Sequence, residues 1–98
     1  MTINKSMEND KLTVNVQGRL DTATAPELEQ ALQESMADAN ELVIDLEGLE
    51  YMSSAGLRIL LASHKAMSAK RGMKVINVND IIAEIFEITG FSDILDIE

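Results

Sequence analysis

Ninety-eight residues bound this chain to one small domain with a single core and little surplus stability. A formal net charge of −9 argues against nucleic acid, whose phosphates need clustered Lys and Arg, and suggests a partner with a basic face. The chain has no cysteine and no tryptophan, which excludes disulfides and thiolate metal sites and removes the usual stacking platform for bases. No apolar run approaches the ~18 residues of a membrane span and no basic, apolar leader opens the chain, so a cytoplasmic protein away from membranes is expected.

Thr2 to Glu8 reads as a weak edge strand, and Asn9-Asp10 as a turn. Leu12, Val14 and Val16 then alternate with Thr13, Asn15 and Gln17, the period of a strand with one wet face, ended by Gly18. Thr24-Ala25-Pro26-Glu27 signals a helix start, with Thr24 as cap, Glu27 closing a capping box and Pro26 tolerated in the first turn. Leu28, Ala31, Leu32, Ser35 and Met36 form its inward stripe, and it should end near Ala39-Asn40.

Leu42 to Leu46 is almost entirely apolar and predicts a central strand buried on both faces, with Asp45 at an exposed sheet edge or satisfied by neighbouring amides. Glu47-Gly48-Leu49 turns the chain toward Ser53 and Ser54, which stand where a loop becomes a helix running to about Lys70. Ser53 suits the N-cap, and Ser54 in the first turn stays exposed. Leu57, Leu60, Leu61 and His64 mark the inward stripe, Lys65, Lys70 and Arg71 complement the negative pole, and Gly72 suits the C-terminal turn. Met73 to Val78 predicts the next strand. Asn79 and Asp80 can each cap a short helix with Ile81, Ile82, Ile85, Phe86 and Ile88 inward, stopped at Gly90, and Ile94 to Ile97 closes as a strand.

The order is therefore β-β-α-β-α-β-α-β, an α/β domain whose polar loops gather at the carboxyl ends of the strands, where open α/β sheets bind. Asp21, Thr22 and Thr24 lie in one such loop, Ser53 and Ser54 in the second, and Asn77, Asn79 and Asp80 in the third. Catalysis is not expected there. The sole histidine is ten residues beyond Ser54, about 15 Å along a helix axis, and no glycine-rich phosphate cradle is present. Asp21 and Asp80 read as caps rather than a cation site, so neither metal nor cofactor is implied.

Tyr51-Met52-Ser53-Ser54-Ala55-Gly56-Leu57-Arg58 resembles the phosphorylation loop of bacterial anti-sigma-factor antagonists, single-domain members of the STAS family. Gly18-Arg19-Leu20-Asp21-Thr22-Ala23-Thr24-Ala25 is similar to the family's second signature, a Gly-x-Leu-Asp turn leading into the first helix. The resemblance covers essentially the whole chain and implies a single STAS domain over residues 1–98 with a four- to five-stranded mixed sheet. It implies partner binding through Asp21, Thr22, Thr24, Ser53, Ser54, Gly56 and Arg58. It makes Ser54 the phosphorylated residue, with Ser53 as runner-up. The partners it implies are an anti-sigma factor that is itself a serine kinase, and a serine phosphatase. On this reading Asp21→Ala weakens partner binding with little effect on the fold. Many members carry Asp directly before the modified serine, where this chain has Ser53, and many add a helix after the closing strand. Two other readings stand beside this one: a non-switching STAS subunit scaffolding a transport or lipid-trafficking complex, and a nucleotide or small-molecule binder using the same edge.

Overall fold

The alternation at Leu12, Val14 and Val16 sets one face of the sheet around which the rest packs. The computed structural model describes residues 1–98. Strand β1 (Thr2–Glu8) pairs antiparallel with β2 (Lys11–Leu20) across a two-residue turn in which Asn9 takes φ +59°, a conformation Asn tolerates better than most residues. Helix α1 (Ala25–Ser35) leads through a 3-10 turn at Met36–Asp38 into β3 (Glu41–Asp45). Strand β4 (Leu49–Met52), helix α2 (Ser54–Met67), strand β5 (Met73–Ile76), helix α3 (Asp80–Thr89) and strand β6 (Asp96–Ile97) follow. The spatial order is β1-β2-β3-β5-β6, parallel except for the first pair, with β4 attached only to β2.

All three helices join one core. Leu12, Val14, Val16, Leu42, Ile44, Met73 and Val75 from the sheet meet Leu28 and Leu32 of α1, Leu60 and Met67 of α2, and Ile82 and Phe86 of α3. The expectation that β3 is buried on both faces holds on the helix side, where Leu42 and Ile44 are fully buried, and on the outer side only at Val43. It is 6% exposed, yet it lies outside the core cluster, flanked in the sheet by Thr13 and Lys74. The face opposite the helices is instead knit by polar side chains. Gln17 donates to Asn15 Oδ1 at 2.9 Å, Asn15 Nδ2 donates to the Asp45 and Glu47 carbonyls at 3.3 Å each, and Asn77 Nδ2 donates to Asp45 Oδ1 at 3.0 Å. With the Glu47 N–H also donating at 3.0 Å, Asp45 is satisfied by neighbouring amides.

Several local expectations change. Strand β4 is an element the turn reading of Glu47-Gly48-Leu49 passes over, because its burial follows no period of two and its only pairing is with β2. Strand β2 does not stop at Gly18: the pairing shifts register between Gly18 and Arg19 and the strand continues to Leu20. Helix α2 ends at Met67, and Ser63 rather than His64 lies on its buried side. Lys70 serves another element's carbonyls, donating to Met36, Ala37 and Ala39 at 3.1, 3.4 and 2.6 Å. Arg71 pairs with Asp10 and lies 3.9 Å from Glu41. In α3 only Ile82 and Phe86 are buried; Ile81 and Ile88 face solvent.

Candidate partner-binding edge

The forked end of β2 builds this edge. Its first half pairs with β3, and beyond the bulge Arg19 and Leu20 pair with Tyr51 and Met52 of β4. The residue after β4 extends the zipper, because the Ser53 N–H donates to the Leu20 carbonyl at 2.8 Å. The Asp21 turn and the serine loop, remote in sequence, thus leave the sheet side by side.

Asp21 organises its own turn. Its Oδ1 accepts from the N–H of Ala23 at 3.0 Å, from the N–H of Thr24 at 3.1 Å and from the Thr24 hydroxyl at 3.2 Å. Thr24 does not cap α1 with its side chain: its backbone is already near-helical at φ −98°, ψ −20°. Its hydroxyl instead donates back to the Arg19 carbonyl at 2.8 Å and accepts from the Asp21 N–H at 2.9 Å. The capping box is therefore replaced by an Asx turn, and Thr22 is left exposed at the loop tip. The hydrogen bond from the Thr24 backbone, followed by the Thr24 hydroxyl and the Ala23 backbone, holds the Asp21 carboxyl below the usual carboxylate range. A depressed folded-state pKa contributes stability that is present above the unfolded value of about 3.9 and lost as pH falls through the folded value. Asp21→Ala should therefore lower the melting temperature at pH 7, contrary to the sequence expectation of a neutral effect on the fold. The gap from wild type should close in melts run stepwise into strong acid; a gap that stays constant with pH would refute this role.

Ser53 is the N-cap of α2. Its backbone is extended at φ −92°, ψ 178°, and its Oγ accepts from the Ala55 N–H at 3.3 Å. Because that bond is long, Ser53→Ala should cost about 0.5–1 kcal/mol, the low end for a cap, read as a shift in the urea midpoint. Ser54, first residue of the helix, is exposed, and the positive end of the helix dipole lies behind it. Arg58, one turn on, is also exposed and lines a surface cleft between α1 and α2 together with Thr22. Gly56, expected among the binding residues, is buried and has a packing role: a Cβ there would sit 2.7 Å from Leu20 Cγ and 2.9 Å from Met52 Cγ.

The third loop reaches β4 at its start, the end opposite the serine loop. Asn79 caps α3 by accepting from the Ile82 N–H at 2.9 Å, and its Nδ2 donates to the Leu49 carbonyl at 2.7 Å. Arg19 lies over the Tyr51 ring, 4.5 Å from its centroid, which puts a second cation beside the serine loop. No local spacing links Arg19 to Tyr51; only the β2–β4 register makes them neighbours. His64 stands away from this edge, half-buried, its Nδ1 without a hydrogen-bond partner. No three His, Cys, Asp or Glu side chains converge as metal ligands would, and no helix is long and apolar enough to cross a membrane.

The family model described as "Mlab, STAS domain" matches residues 3–96, the whole of this architecture. The chain belongs to the STAS family. Among its relatives, the anti-sigma-B factor antagonist of Bacillus subtilis is 35% identical over 94 residues, which span 95% of this STAS domain and 85% of that protein. The anti-sigma-B factor antagonist of Staphylococcus aureus is 31% identical over 99 residues, covering 99% of this domain and 92% of the relative. The crystal structure of an anti-sigma factor antagonist from Mycobacterium paratuberculosis superposes with a TM-score of 0.89 at 31% identity, covering 98% of this STAS domain and 83% of that chain.

Proposed function

We propose that this STAS domain is an anti-sigma-factor antagonist that acts in the cytoplasm by binding, with Ser54 as its switch. Unmodified, the edge formed by Asp21, Thr22, Ser53, Ser54 and Arg58 binds an anti-sigma factor that is itself a serine kinase, and the sigma factor is freed. Phosphorylation of Ser54 ends that complex, and a serine phosphatase restores it. The observation that carries this reading is the Ser53-to-Leu20 hydrogen bond, which holds an exposed hydroxyl at the head of α2 against the Asp21 turn. The names of the Bacillus and Staphylococcus relatives support it.

The geometry also favours a switch that works by surface charge rather than refolding. A phosphate on Ser54 meets the N-terminal dipole, worth about 0.3–1 kcal/mol, and Arg58 one turn on adds a few tenths. Glu50 and the net charge of −9 oppose it, but the more distant charges are screened at ordinary salt. The phosphorylated protein should melt at the same temperature or slightly above, with amide shifts confined to residues 19–24 and 50–58. The test is incubation with ATP and the anti-sigma kinases of the same genome. Intact mass should rise by one phosphate, peptide fragmentation should place it on Ser54, and the complex should dissociate on a sizing column. No gain in mass would favour the non-switching subunit of a transport or lipid-trafficking complex; phosphate on Ser53 would move the switch by one residue.

A further inference from the structure

Helix α3 presents two apolar faces, and the core uses only one of them. Ile82 and Phe86 are fully buried, whereas Ile81 is 60% and Ile88 76% exposed, with Ile85 half-buried between them. At about 100° per residue, positions 81, 85 and 88 fall within one stripe roughly 60° wide on the outer surface. Asp80, Glu84 and Glu87 occupy the adjoining arc, all exposed and none in an ion pair. From residue 75 to the last residue the chain contains no Lys, Arg or His. The carboxylates of α3 therefore have no cation on their own helix, and Glu87 sits at the helix end where the dipole disfavours negative charge and no basic residue offsets it.

Exposed isoleucines one and two turns apart beside a bank of free carboxylates describe a surface complementary to something apolar and basic at helical spacing. A second copy of this chain fits poorly, because it brings the same carboxylates and another net charge of −9 to the contact. An anionic membrane is repelled for the same reason. We propose that the outer face of α3 is a second docking surface, additional to the serine-loop edge, and that its occupant is an amphipathic helix of a protein partner with Lys or Arg along one flank. This proposal is independent of what binds at Ser54.

The test uses two synthetic amphipathic peptides of about 18 residues, long enough to populate helix, sharing one leucine face and differing only in whether the polar face is Lys or Glu. Titrated into the 15N-labelled full chain, the Lys peptide should shift amides of residues 80–89 saturably, and the Glu peptide should not. Ile81→Gln/Ile88→Gln replaces only exposed side chains, so its amide spectrum should stay dispersed while affinity for the Lys peptide falls at least about tenfold. Should that variant misfold, Glu84→Lys/Glu87→Lys gives an independent reading and should exchange the preference for the Lys peptide with one for the Glu peptide. Equal binding of both peptides, shifts centred on α1 and α2, or unchanged affinity in the folded isoleucine variant would overturn the proposal. So would a dimer in sedimentation velocity that the isoleucine variant abolishes, since the occupant would then be a second copy.

Discussion

Ser54→Asp should bind the anti-sigma partner about 10- to 100-fold more weakly than wild type, while Ser54→Ala should bind at full strength and never be switched off. The asymmetry follows from the division of labour between the two serines. Ser53 holds the helix start, so Ser54 can be changed without removing a cap. Alanine deletes only an exposed hydroxyl. Aspartate puts a charge at a site the partner must approach closely, and taking that charge out of water against a surface shaped for a neutral hydroxyl costs several kcal/mol where no counter-charge is placed to meet it. The dipole that welcomes the new carboxylate in the free protein also makes it unwilling to leave or neutralise when the partner arrives. Calorimetric titration of both variants against the anti-sigma factor decides the matter; equal affinities would sink the switch.

The second large effect is on stability. Gly56→Ala should destabilise the fold by about 1–2 kcal/mol, the overpacking range of roughly 1–3 kcal/mol less the fraction of a kcal/mol that alanine gains over glycine in a helix. Leu20 is fully buried and Met52 is 2% exposed, and the added Cβ would meet Leu20 at its branching carbon, which cannot swing aside as a chain terminus could. For a chain of this size that loss is a drop of roughly 5–15 °C in melting temperature. Leu20 and Met52 directly precede Asp21 and Ser53, so relief of the clash would also splay the two loops, and partner affinity should fall with stability. A variant melting within a degree of wild type would show that the helix start has slack the packing does not reveal.

Local rules read well wherever one short stretch decides the outcome. The alternation of β2, the Asn79 cap, the Gly90 stop and the Ser53 cap each depend on residues within a few positions, and each forms as its pattern predicts. Thr24 shows the limit. Its capping-box spacing is correct, yet the Arg19 carbonyl and the Asp21 N–H, both upstream of the pattern, compete for the same hydroxyl and win. Strand β4 and the Arg19–Tyr51 contact depend on a parallel register between residues about thirty positions apart, and no local period encodes that. In α3 five large apolar residues in an eight-residue span read as a buried face, but one helix can turn only one side to the core. Which isoleucines stay outside is settled by the sheet beneath them. The candidate edge was visible as three polar loops; that two of them are bonded to each other was not.

The fork in β2 has a consequence for how this molecule breathes. Strand β4 has a single sheet partner, the last residues of β2, and those residues in turn have no other neighbour there. The amides of Ser53 and of the Leu20–Met52 pairing are then protected by the same few hydrogen bonds, and none can exchange with solvent unless the whole tab lifts from the sheet. Hydrogen exchange should report these amides as one cooperative unit, opening at lower cost than β3, which is flanked on both sides. A partner that grips either loop would slow exchange in both.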